Sequence, residues 1–212
     1  MESHVRGGTR WKRFALVMVP SVAATAAIGL ALAQGALAAS FSVSGQSFKV
    51  KAKQVDGYGF SQYGGIDTGY ADVEGDAKTA HPVAISSFKN ATITEMCQSV
   101  VTPKIPVFGS VSLQLKAGFG KEKVEATNLY LDISELDADA TFENIEIGVA
   151  TRDAKKGPPV KAGENIKENG FAQQADHAVL DNVEQKAWAT TAGTFKLSGL
   201  SMRLYSDARE CY

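Results

Sequence analysis

The sequence predicts an all-β domain of long, bent antiparallel strands, a sandwich or a strongly curved sheet, behind an N-terminal hydrophobic helix. Three observations carry this. Apolar and polar residues alternate along most of the chain after residue 39, and no stretch there has the 3.6-residue period of a helix. The alternation also slips phase at residues that tolerate unusual backbone angles. A β-solenoid of coils near 16 residues is the alternative, because parallel stacking also gives short regular spacings.

The first segment has the layout of a secretion signal. Arg6, Arg10, Lys12 and Arg13 form a basic start, Phe14 to Ala33 is uncharged and mostly apolar, and Ala36-Leu37-Ala38 offers a small-x-small cleavage pattern. About 20 apolar residues also suffice to span a bilayer, so an uncleaved membrane anchor is the other reading of 1–38. Either way, residues 39–212 are expected outside the cytoplasm, secreted or membrane-anchored, as a single β-rich domain.

The whole chain has 22 Lys+Arg and 23 Asp+Glu. Residues 1–38 hold four of the former and one of the latter, so the domain keeps 18 against 22, a charge of −4. That mildly acidic balance argues against nucleic acid, which needs a basic patch. Cys97 and Cys211 are the two cysteines. In an oxidising compartment such a pair is expected to form a disulfide and to pin the chain end.

The strands follow in order. Phe48, Val50 and Ala52 alternate with Lys49, Lys51 and Lys53, and Val107 to Ala117 alternates cleanly between Pro106 and Gly118. Val124-x-Ala126-x-Asn128-Leu129-x-Leu131-x-Ile133 slips by one residue at Asn128. The runs through Asn144 and Gly199 repeat this, with weaker copies at Asn90 and Asn182. Asn and Gly take φ > 0 most easily, so each slip is expected to be a β-bulge that bends a long strand. Two stretches are expected to interrupt the sheet. Residues 56–70 are rich in glycine and aromatics, and 152–170 are polar and Lys-rich around Gly157-Pro158-Pro159.

No residue set points to catalysis. Gly45-Gln46-Ser47, Gly59-Phe60-Ser61 and Gly199-Leu200-Ser201 lack the second glycine of a nucleophile elbow. His81 and His177 are expected as solvated strand-end histidines. Asp137-x-Asp139-x-Thr141 opens like a calcium loop, but Phe142 stands where the turn glycine belongs, while Leu136, Ala138 and Ala140 alternate through it. The sequence therefore implies no catalytic residue, metal or cofactor. Tyr58, Phe60, Tyr63 and Tyr70 form the candidate binding loop, since exposed aromatics on a pliable segment suit lipid, carbohydrate or protein surfaces.

Several stretches carry a resemblance. They include Ser44-Gly45-Gln46-Ser47-Phe48-Lys49-Val50, Met96-Cys97-Gln98-Ser99-Val100, Ala138-Asp139-Ala140-Thr141-Phe142, Gly170-Phe171-Ala172-Gln173-Gln174-Ala175-Asp176 and Ala187-Trp188-Ala189-Thr190-Thr191. With Cys211 they resemble an actinobacterial, streptomycete family of exported proteins of unknown function, often labelled cholesterol esterase. The resemblance implies a small integral membrane protein as a genomic neighbour and no established catalytic residues. Two functions are thus in play. One is a non-catalytic cell-envelope or secreted protein that binds a lipid, a wall component or a membrane partner. The other is a lipid or sterol ester hydrolase, resting on the label alone.

Overall fold

The computed structural model describes residues 43–212 apart from 74, 106, 108 and 162. The expected signal or anchor, 1–38, lies outside the described residues. The rest is almost entirely strand: β1 (Phe48–Tyr70), β2 (Lys78–Thr94), β3 (Met96–Ile105), β4 (Gly109–Ala117), β5 (Val124–Glu143), β6 (Glu146–Ala150), β7 (Asn165–Ile166), β8 (Phe171–Thr191), β9 (Thr194–Lys196) and β10 (Ser201–Tyr205). A single 3₁₀ turn, Thr151–Asp153, follows β6. Every strand pair is antiparallel, which excludes the solenoid.

The sheet closes on itself. β1 pairs β2, β2 pairs β5, β5 pairs β8, and β8 returns to the free edge of β1. The ring is steeply staggered. Successive partners Tyr63, Ile85, Asp132 and Ala189 lead to a point just past Ala187, which pairs Phe48 at the other end of β1. Closing a sheet requires such tilt and stagger, here large because so few strands share the circuit. Beyond the ring, β3, β4 and β10 continue the sheet, and β9 lies on the edge of β5 that β8 leaves open.

The phase slips are creases that cross the sheet from strand to strand. On the first, Asn128 faces Lys89, Lys89 faces Gly59, Gly59 faces Asp176, and Asp176 faces Asn144. Asn128, Gly59 and Asn144 have φ of 46°, 65° and 53°. Inward residues switch phase together here: Ala126 then Leu129, Ala91 then Phe88, Ala178 then Ala175, all buried. The second crease runs Asn182, Lys53, Glu95, Gly118, Gly199, and all but Lys53 have positive φ.

This corrects the expectation of bulges with an inserted residue. At Asn128 and Asn144 the register continues one for one, because the partner strand turns over at the same line. A true register shift accompanies Asn182, where β8 carries an extra residue between the partners of Asp137 and Asp139. The slip on β2 falls at Lys89, one residue before the expected Asn90.

Two cores lie on opposite faces. The inner one fills the ring with Val55, Phe60, Phe88, Leu129, Leu131, Ile133, Leu180 and Val183, against alanines 175 and 178 of β8. Burying each large side chain contributes about 1.5–3 kcal/mol. A narrow ring must alternate large with small. A Cβ on Gly57 would stand 2.3 Å from the Phe88 ring, so glycine there is what admits that phenyl group. The outer core packs Tyr63, Val83, Ile85, Tyr130 and Ala172 beneath Val160, Ile166 and Trp188.

Both stretches expected to interrupt the sheet are integrated with it. Residues 56–70 are the second half of β1, so the candidate binding loop is strand. Gly57 and Gly65 make room for Phe88 and Ile85, and Gly59 takes the positive φ of the first crease. Residues 154–160 have no strand but are laid tightly on β1. Pro158 is fully buried, and a Cβ on Gly157 would strike Ser61.

Candidate functional site

The inner face holds a cavity of about 190 Å³ just beyond the first crease. β1 contributes Val55, Phe60 and Gln62, and β2 contributes Ser86 and Phe88. β5 adds Leu131 and Ile133, then Leu136, Ala138, Ala140 and Phe142, while β8 adds Gln173, Leu180, Val183 and Gln185. These residues converge because alternate positions of all four strands point inward once the crease has reset their phase. The ring of Phe60 stands 5.3 Å from those of Phe88 and Phe142, forming an aromatic wall. Ala138 and Ala140 are exposed and Leu136 is 36% exposed, so the cavity opens along this half of β5.

The lining carries no charge. Its polar side chains are three amides and a hydroxyl. Gln173 Nε2 donates to Gln62 Oε1 at 2.6 Å, and Gln62 Nε2 donates to Ser86 Oγ at 2.7 Å. Gln185, further along β8, is only 5% exposed. Apolar walls with a few convergent polar groups are the usual make-up of a small-molecule site. A cavity near 150 Å³ holds a benzene-sized guest, so this one suits a short alkyl or aromatic group, with any longer chain running out over Ala138.

The aromatics expected to form a binding loop divide between the two sides of β1. Phe60 is in the inner core, whereas Tyr63 is buried in the outer core and donates from Oη to Glu164 Oε2 at 2.9 Å. Burial and the Glu164 carboxylate push the Tyr63 hydroxyl far above its usual range, and burial raises Tyr130 to about 12. Tyr58 is exposed and stacks on His177 at 4.2 Å, while Tyr70 lies beneath the Lys78 ammonium, 5.5 Å from its ring centre. Only Phe60 reaches the cavity.

Neither histidine is a solvated strand end. His81 is 8% exposed, stacked on Trp188 at 3.7 Å, with Nε2 3.2 Å from the Tyr70 carbonyl. His177 lies between two carboxylates, Nε2 at 2.8 Å from Asp56 Oδ1 and Nδ1 at 3.4 Å from Glu143 Oε1. The hydrogen bond to Asp56, with help from Glu143, raises its pKa. The carboxylates flank opposite sides of the ring, an arrangement that favours the imidazolium and does not converge on a metal. Of the three serines in glycine half-motifs, Ser61 is buried 2.7 Å from Ser87 Oγ. Cys97 and Cys211 form the expected disulfide, with Cα atoms 5.9 Å apart.

Two other polar clusters are satisfied from within. Lys156 Nζ meets Asn144 O at 2.6 Å, Glu146 Oε1 at 3.1 Å and Asp176 Oδ1 at 3.3 Å, which clamps the 154–160 segment onto β6 and β8. A depression beside the disulfide is lined by Lys51, Lys53, Glu95 and Glu184, and these pair with one another at 2.6 and 3.3 Å.

The cavity was not legible along any one strand. The available signal was polar residues at inward phase: Gln62 and Gln173 each fall two positions from a buried residue of the inner core, Phe60 and Ala175. Reading them required knowing where the phase resets. A family model described as a family of unknown function (DUF6230) matches residues 44–212. No curated protein and no solved structure matches the chain.

Proposed function

This chain belongs to the family of unknown function DUF6230, and we propose that it is a non-catalytic cell-envelope or secreted protein that binds a lipid. The cavity carries the reading: an uncharged, apolar recess within the curved sheet, open along Leu136–Phe142, where an acyl chain can leave water. It favours a lipid over a wall component or a protein partner, since a polymeric sugar needs a more polar surface and a docked helix a groove several turns long. The export pattern in 1–38 supports an extracytoplasmic location, and so does the Cys97–Cys211 bond.

A neutral solvatochromic dye tests the reading. The purified protein should bind it, and Ala138→Phe, which fills the mouth, should bind roughly tenfold more weakly. No binding by the parent, or equal binding by the variant, refutes a lipid site in this cavity. Hydrolysis of fatty-acyl chromogenic esters that one Ser→Ala change abolishes would refute the non-catalytic part.

A further inference from the structure

We infer that Gln185 recognises the polar head of the bound molecule and that this head is uncharged, as in an alkyl alcohol or primary amide. The inference rests on the lipid-binding reading of the same cavity and adds to it the ligand's chemical class and the residue that selects it.

Gln185 lines the cavity, is 5% exposed, and its amide makes no hydrogen bond with any described residue. Amides inside a fold are normally held by the protein or by water, so one that the protein leaves unengaged is open to a partner that enters the cavity. The other cavity amides show the contrast. Gln173 and Gln62 are joined in a chain that ends on Ser86, so their groups are largely engaged by the protein. Around Gln185 the cross-strand partners are Val50 on β1 and Leu136 on β5, neither of which can bond it. The one unengaged amide therefore sits among apolar groups, where it can meet the head of a guest whose tail fills the space toward Phe60.

The absence of charge in the lining sets the class of head. No Lys, Arg or His lines the cavity, so a buried carboxylate or phosphate would lack a counter-charge. An alcohol or amide head needs only one donor and one acceptor, and a glutamine amide supplies both.

The experiment is a titration of the full chain with 1-hexanol, hexanoate and n-hexane, followed by the chemical shift of the Gln185 side-chain amide and of methyls on Leu131, Ile133 and Leu180. Hexanol should move the Gln185 amide and bind roughly tenfold more tightly than hexanoate. Gln185→Met, which keeps the shape, should weaken hexanol roughly tenfold and leave hexane unchanged. Equal binding of hexanol by parent and Gln185→Met, or of hexanoate and hexanol by the parent, overturns the head assignment, while hexane shifts at the Leu131 and Ile133 methyls would keep the cavity reading intact. If none of the three moves any cavity resonance, both the assignment and the lipid-binding reading fall.

Discussion

Asn144 Nδ2 donates to Asp176 Oδ2 at 2.9 Å, joining the β5–β6 junction to β8 on the crease that also passes through Gly59 and Asn128. The bond holds the asparagine at φ 53° and, with Lys156, lowers the Asp176 pKa. A residue that must keep positive φ ranks its replacements differently from an ordinary strand residue. Asn144→Gly should lose one exposed hydrogen bond and little else. Asn144→Val forces a β-branched residue into the left-handed region, at about 1–3 kcal/mol. Thermal melts should therefore place Val several degrees below Gly. Strand propensity alone gives the reverse order, so a Val variant that melts with or above Gly removes the crease argument.

Much of this architecture was legible in the residues, and the limit was geometric. Period two gave strands, and the runs through 128, 144, 182 and 199 showed where phase breaks, since all four positions take φ > 0. What one strand cannot show is that its neighbour breaks at the same line. Local reasoning therefore inserted bulges, where the sheet folds over at Lys89 and Gly59 in register. Residues 56–70 failed for a related reason. Gly57 and Gly65 suggested a flexible loop, yet a Cβ at either would collide with Phe88 or Ile85. They are space makers for side chains contributed by β2. Nothing in the sequence around Gln185 marks it, since its place in the cavity depends on Val50 and Leu136 of two other strands.

His177 should give the fold a pH dependence near neutrality. Its folded-state pKa is raised above the usual 6.5, first by the hydrogen bond to Asp56 and then by Glu143. A raised value means that the charged histidine stabilises the fold. The contribution is complete below pH 6.5 and is lost as pH rises through the folded value. The charged groups that face the imidazole are Asp56 on β1 and Glu143 on β5. His177→Gln should flatten the change in melting temperature between pH 6 and pH 8. An unchanged slope in that variant would assign the dependence elsewhere.

Reduction of Cys97–Cys211 should release the C-terminal tail. The bond closes a sequence separation of 114 residues, worth about 4 to 5 kcal/mol in the chain-entropy model. Around it Cys211 N donates to Ser99 Oγ at 3.1 Å and Ser112 Oγ donates to Asp207 O at 2.8 Å, so the tail covers polar groups of β3 and β4. Cys211→Ser should lower the melting temperature by roughly 10 °C, and amide exchange should rise first around Ser99 and Ser112. Protection that persists there after reduction would show that the tail is held by its hydrogen bonds alone.

Gly57 and Phe88 should be energetically coupled. An added Cβ at Gly57 would approach Phe88 Cδ1 to 2.3 Å and Cε1 to 2.9 Å, in a ring too narrow to widen without disturbing β8. Gly57→Ala should therefore cost about 1–3 kcal/mol as overpacking. Phe88→Leu alone should cost a similar amount, because it leaves a void beside Phe60. In the double variant the leucine vacates the volume the new methyl needs, so the two costs should sum to more than the pair. A double-mutant cycle by urea denaturation reads this as a coupling of about 1 kcal/mol or more, favouring the double variant. Additive costs would mean that Gly57 is required for its backbone, not for its missing side chain. The explanation of a four-strand ring by alternating small and large residues would then fail at the position where its contact is closest.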